Sequence, residues 1–286
     1  MLHRLVWLGV PLAVIVTGCL SHPTRPAPRP INSTVHLELA ETLPSAQGTL
    51  RLRLRTEREY GCSNVALATS LARAPGSFQL TLLGVRNPGV CLTGLGPATA
   101  EVDLGHLTAG EYTLRFILNG AAIESRLLVT AGAYRIVGGN TASFTIDHST
   151  LRRVPERMAW GWIGYADAAG QAAAKDFLDG LRAAGAEAHV FASGRYAPVI
   201  QPGVNEVFHI DARGRLVLGG TLGFVHLEPY VFRYAGDDEV LRGLVRATGE
   251  QHPGAVYVLL DTGNGIQLMS WTLAGSTRAR RASDRS

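Results

Sequence analysis

The sequence predicts two domains, an all-β sandwich followed by a small α+β domain, and three observations carry that prediction. Between residues 34 and 138, short runs alternate apolar and polar residues and are broken by Gly, Pro and Asn, the period-two pattern of half-buried strands. Beyond Gly138-Gly139-Asn140, two stretches of helical period stand between further strand-like runs. The chain has 286 residues, 46% hydrophobic and 17% charged, with 33 glycines and 7% aromatics, which fits one or two turn-rich domains with real cores and excludes a disordered or multi-pass membrane protein.

In chain order, residues 1–18 read as a secretory leader: a basic start with Arg4, then an apolar run from Leu5 to Val16, too short to span a hydrocarbon core that needs about 20 residues. Its end, Val16-Thr17-Gly18-Cys19, closely resembles the lipobox of bacterial lipoproteins. The resemblance implies cleavage before Cys19, a diacylglycerol thioether on its sulfur with further acylation (palmitate among the usual chains), and a lipid anchor in the membrane. Leu20 rather than Asp after the cysteine implies the outer membrane where the envelope has one. Residues 19–33 read as a tether, because Pro23, Pro26, Pro28 and Pro30 favour an extended chain and cannot build a core. Cys62 and Cys91 remain as an even pair in an exported, oxidising setting, which predicts a disulfide between them.

In the first domain, residues 34–138, the sharpest strand is Thr49 to Arg55, with three leucines on one face and three arginines on the other. Further strands are expected at 35–39, 63–68, 78–83, 100–104, 112–118, 123–129 and 134–137. The stretch from Leu107 through Gly110 to Tyr112 resembles the Leu-x-x-Gly-x-Tyr opening of strand F in immunoglobulin-like and fibronectin-type sandwiches. That resemblance implies a tyrosine corner whose hydroxyl bonds backbone a few residues upstream. Leu114 stands where an immunoglobulin domain has its second cysteine, so the Cys62–Cys91 bridge must sit elsewhere.

In the second domain, residues 139–275, Asp167 caps an expected helix to about Ala184 with Gly185 as its stop. Asp237 caps another, with Val240, Leu241, Leu244 and Val245 inward and Gly249 at its end. Strands are expected at 158–165, 188–191, 204–210, 215–218, 230–234, 255–260 and 266–273. This order resembles a ferredoxin-like fold, a two-layer α+β arrangement. Residues 276–286 read as a disordered basic tail.

Four strings invite a chemical role. Arg135 to Asn140 reads RIVGGN, similar to the activation site of trypsin-like proteases, but the chain lacks the triad motifs that chemistry requires. Asp261-Thr262-Gly263 resembles the aspartic protease tripeptide; Asn264-Gly265 follows at once, and the whole reads better as a hairpin turn. His209-Ile210-Asp211 and His226-Leu227-Glu228 alternate so that each pair shares a strand face, and could hold a divalent metal if the strands met. Trp160 and Trp162 share a face, read as core rather than as a sugar platform. Asp147-His148-Ser149 is too local for a triad, and no nucleotide-binding or zinc-ribbon spacing occurs.

The expectation is therefore an exported, lipid-anchored envelope protein with a non-enzymatic binding or structural role and an envelope protein or glycan as partner. The alternative is a metal-dependent or hydrolytic envelope enzyme with its site in the second domain. No catalytic, cofactor or metal residue is assigned. The net charge of +4 does not point to nucleic acid: the first domain has 9 basic and 8 acidic residues and the second 11 and 14, so the positive excess lies in the leader, tether and tail.

Overall fold

The computed structural model describes residues 27–44, 47–201, 204–218 and 225–270. The expected leader, Cys19, the start of the tether and the tail lie outside them. In chain order the first strands are β1 (Val35–Thr42), β2 (Leu50–Cys62), β3 (Ala66–Ala74), β4 (Ser77–Arg86), β5 (Thr93–Gly105), β6 (Gly110–Leu118), β7 (Ala121–Val129), β8 (Ala133–Val137), β9 (Phe144–Ile146) and β10 (Thr150–Arg152). There follow β11 (Met158–Tyr165), α1 (Ala168–Ala183), β12 (Glu187–Ala188), β13 (Gly194–Tyr196), β14 (Pro198–Gln201), β15 (Val204–Asn205), β16 (Phe208–Ile210), β17 (Leu216–Leu218), β18 (His226–Arg233), α2 (Asp238–Gln251), β19 (Val256–Thr262) and β20 (Gln267–Met269). The described residues are mostly β, with two helices.

The first sheet has twelve strands in the order β10-β8-β7-β6-β4-β3-β5-β2-β1-β14-β15, with β9 also on β1. It curls round one core. The leucines of the Leu-Arg repeat, Leu50, Leu52 and Leu54, are buried there with Leu37, Leu39, Phe116, Leu127 and Phe144. The repeat's arginines face outward and pair with acids, Arg51 and Arg53 with Glu101 on the neighbouring β5 and Arg55 with Asp147 just after β9. The two edges of the sheet approach each other, because β9 pairs with the start of β1 while β10, just after it in sequence, pairs with β8. Thus β9, β10, β14 and β15, all C-terminal to Gly138, belong to this sheet.

Tyr112 opens β6, and its hydroxyl donates to the Thr108 carbonyl at 3.0 Å, the contact expected of a tyrosine corner. Strand β6 lies between β7, antiparallel, and β4, parallel to it. In an immunoglobulin sandwich strand F has antiparallel neighbours on both sides, so here the corner motif serves a different strand order.

The second sheet runs β12-β18-β11-β19-β20, antiparallel throughout. Both helices cover one face, where Ala173, Phe177, Leu181, Leu241 and Val245 meet Ile163, Phe232 and Val258. The expected caps form: the Asp167 carboxylate accepts from Gly170 N at 2.8 Å and Asp237 from Glu239 N at 2.9 Å. Val240 departs from expectation at 49% exposed, because the inward stripe runs through Leu241 and Val245. Gly249 does not end α2, which continues to Gln251; a Cβ there would lie 2.8 Å from Ser270 O, so this glycine permits a close helix approach. Gly161 does the same for β11, since a Cβ would lie 2.0 Å from Leu259 O, the atom that accepts the Tyr230 hydroxyl bond at 2.7 Å.

The other face of this sheet is covered by the segment between β12 and β18, whose strands β13, β16 and β17 form a third sheet. Trp160, Phe191, Tyr196, Phe208, Ile210 and Leu216 make that core. The run 204–210, expected as one strand, is two: Val204–Asn205 pairs with β14 in the first sheet, while Phe208–Ile210 pairs with β13.

Glu41, at the end of β1, ties that strand to β8 and to the segment that follows β10. It is 1% exposed and accepts from Arg153 Nε at 2.9 Å, the Tyr134 hydroxyl at 3.1 Å and Val154 N at 3.3 Å. Burial raises its pKa, and Arg153 and the other donors offset that rise only in part.

Candidate functional site

The described residues offer two candidate centres, a buried carboxyl pair and an exposed apolar tip, and the strings singled out in the sequence resolve around them. Asp261 does not sit in a turn: it lies in β19, 0% exposed, opposite Trp160 on β11. The turn follows it, with Gly265 N donating to Thr262 O at 3.0 Å and Gly265 at φ +82°. Among the described residues, neither Asp261 oxygen has a hydrogen bond of ordinary geometry, though the Glu206 and Gln267 side chains lie close enough to act on it, and one oxygen of Glu206 and the Trp160 indole N–H are likewise buried without a well-formed bond. Burial raises the Asp261 pKa well above the usual carboxylate range, and the neighbouring Glu206 carboxyl raises it further. Two neighbouring carboxyls have the composition of an acid dyad, but Asp261 has no solvent-exposed surface from which a substrate could reach it.

The two His-carboxylate dyads are not brought together. His209 lies on β16 in the third sheet and His226 on β18 in the second. Asp211 is engaged in its own turn, accepting from Arg213 N at 2.8 Å, Arg215 N at 2.9 Å and the Arg215 side chain at 2.8 Å, and the backbone donation from Arg215 leads in lowering its pKa. His226 stacks on Tyr165 with ring centroids 5.2 Å apart. Among the described residues, no group of three His, Cys, Asp or Glu side chains is placed to hold a metal ion. Trp160 and Trp162 are both buried, at 1% and 7% exposed. Ile136, within the Arg135–Asn140 string, is a buried residue of β8. Asp147 partners neither His148 nor Ser149; it binds His36 Nδ1 at 2.6 Å and Arg55 at 2.8 Å. Desolvation pushes Asp147 up, but those two partners outweigh it and its pKa falls below the ordinary value.

The apolar tip is built by two loops at the far end of β2 and β4. Strand β2 runs past the start of β1 after a bulge against β5 between Arg55 and Glu59, where the buried Thr56 hydroxyl accepts from Ala98 N at 2.9 Å. At the end of this projection the Cys62–Cys91 disulfide joins the β2–β3 turn to the β4–β5 loop. Around it, Ser63 N donates to Leu92 O at 3.0 Å, Asn64 Nδ2 to Val90 O at 2.8 Å, and Leu92 N to Asn64 Oδ1 at 3.0 Å. The backbone from Val90 to Leu92 is therefore fixed on both sides of Cys91. Yet the side chains here are bare: Val90 is 76% exposed, Leu92 58% and Leu95 75%. Three large apolar side chains held in water by a disulfide and a set of backbone bonds are unfavourable for a free surface, which makes the tip a candidate contact site.

The tip was not foreseen as a site, since Val90, Leu92 and Leu95 read like any loop apolars; only the expected Cys62–Cys91 pair pointed at it. Compared with family models, with curated proteins and with solved structures, the chain matches none.

Proposed function

We propose that this chain is an exported envelope lipoprotein, anchored through Cys19, whose folded part serves a non-enzymatic binding or structural role. The observation that carries the reading is the exposed tip of Val90, Leu92 and Leu95, pinned by a disulfide that requires an oxidising compartment. The leader and the Val16-Thr17-Gly18-Cys19 string supply the anchor. Two folded units are inferred. The first is a sandwich related in its corner motif, though not in its strand order, to immunoglobulin-like domains. The second is ferredoxin-like, supported by the order β12-β18-β11-β19 with α1 after β11 and α2 after β18, which is the split βαβ arrangement. On this reading the segment between β12 and β18 is an insertion that mortises the second unit onto the first through β14 and β15.

Labelling cells that express the full chain with an alkyne palmitate tests the anchor. Label on the wild-type band and none on Cys19→Ala, with the wild type extracted from membranes only by detergent, is the expected result. An unlabelled wild type recovered in the soluble fraction would defeat the reading.

A further inference from the structure

We propose that the tip formed by Val90, Leu92 and Leu95 enters the interfacial layer of the phospholipid bilayer that holds Cys19, giving the protein a second membrane contact; this rests on the lipid-anchor reading above. The position of the tether argues for the bilayer over other occupants. Residue Arg29 makes an antiparallel bridge with Val85 at the end of β4, with both backbone bonds formed, at 2.9 and 2.7 Å, and its guanidinium donates to Asn87 Oδ1 at 2.7 Å. Because the bridge is antiparallel, the described chain traced back from Arg29 to Ala27 runs in the direction in which β4 runs towards the tip. Eight Cα-to-Cα steps separate Cys19 from Ala27. Even fully extended they reach no more than about 29 Å, so a lipidated Cys19 keeps this end of the fold near the membrane surface.

The recess next to the tip suits that surface, with the exposed Glu57 and Glu59 of β2 outside its lining. A shallow recess beside it is lined by Arg29, Pro30, Asn32, Arg58, Tyr60 and Val85, two cations and a phenol with no carboxylate among them. The Arg58 guanidinium lies 5.6 Å from the centre of the Tyr60 ring. Aliphatic side chains at the front with Arg and Tyr behind them is the composition of an interfacial anchor, whose apolar part sinks about 5–10 Å while cations meet anionic headgroups. One acylated residue with a short tether leaves orientation free, whereas a rigid second contact sets it. The other end of β1 carries Glu41, β14 and the second and third sheets, so insertion of the tip points those layers away from the bilayer.

The test uses the full chain, processed in a bacterial host, purified and reconstituted into phosphatidylcholine vesicles containing phosphatidylglycerol, as Leu92→Trp and, at the far end on α2, as Val240→Trp. Tryptophan emission is read as a difference from the parent chain, with and without lipids brominated in the upper acyl chain, and intact mass reports lipid on Cys19 in each sample. Insertion predicts a blue shift and bromine quenching for Leu92→Trp and neither for Val240→Trp. Lipid on Cys19 with Leu92→Trp behaving like Val240→Trp overturns the tip contact and leaves the anchor standing. Unmodified Cys19 overturns the anchor, and quenching at Leu92→Trp then decides the tip by itself. A blue shift at Leu92→Trp that needs no vesicles and grows with protein concentration assigns the tip to a second copy of the chain and also overturns the proposal.

Discussion

Replacing Asp261 with Asn should stabilise the protein at neutral pH and leave it nearly unchanged in acid. Asp261 is 0% exposed, its oxygens lack well-formed hydrogen bonds, and burial followed by Glu206 holds its pKa above the unfolded value near 3.9. For a carboxyl raised in this way the folded state binds the proton more tightly than the unfolded state. Its favourable effect is therefore complete below the unfolded pKa and is lost as pH rises towards the folded pKa. Across that window each pH unit costs about 1.4 kcal/mol for one group. At roughly 2–4 °C per kcal/mol for a chain of this size, the melting temperature should fall by about 3–5 °C per pH unit on account of Asp261 alone. Asn keeps the shape and cannot ionise. Thermal melts of the wild type and Asp261→Asn from pH 4.5 to 8 should therefore diverge as pH rises, with the variant the more stable at the upper end. Glu206→Gln should shrink the divergence seen in the wild type, because it removes the charge that opposes Asp261. Two melting curves separated by the same offset at every pH would refute the reasoning, since they would mean that Asp261 does not change its protonation between folded and unfolded chains in this range.

Two further outcomes follow from the structure. Replacing both Cys62 and Cys91 by Ser opens a bridge of sequence separation 29 and should cost about 3–4 kcal/mol in urea unfolding through the freed unfolded chain, with faster amide exchange from Val90 to Leu92; an unchanged midpoint would show that the backbone bonds alone hold the tip. Arg153→Ala leaves the 1%-exposed Glu41 without its cation and should cost about 3–5 kcal/mol at pH 7, shrinking in acid as Glu41 takes up a proton; urea titrations at pH 7 and pH 5 measure both, and a loss under about 1 kcal/mol at pH 7 would contradict the account of Glu41 as a tie between β1 and the segment after β10.

The elements whose partners lie close in sequence were legible, and those that depend on distant residues were not. Leu50, Leu52 and Leu54 alternate with arginines, and this alone places β2 with one face inward. Asp167 and Asp237 announce the starts of both helices, because an N-cap bond reaches only two or three residues. By contrast, Val204 to Ile210 reads as one mostly apolar strand, interrupted by Asn205-Glu206, and it is at that interruption that the chain changes sheets. Alternation records which side chains turn inward and carries no information on which strand lies alongside. Gly249 reads as a helix stop until Ser270 is placed against it. Asp261 reads as a turn residue because Thr262, Gly263, Asn264 and Gly265 follow it; its burial depends on Glu206 and Trp160, brought in by a different strand and loop. The tip is the extreme case. Val90, Leu92 and Leu95 have the composition of core, and only the bonds from Ser63 and Asn64 show them held outside it.

The central claim, a disulfide-bonded envelope protein tied to the membrane through Cys19, is tested most directly by the intact mass of the full chain extracted from membranes by detergent. The account predicts a polypeptide that begins at Cys19, carries the mass of a diacylglycerol with a further acyl chain, and lacks the two hydrogens of Cys62 and Cys91. A mass that retains residues 1–18, or that begins elsewhere without lipid, would contradict it.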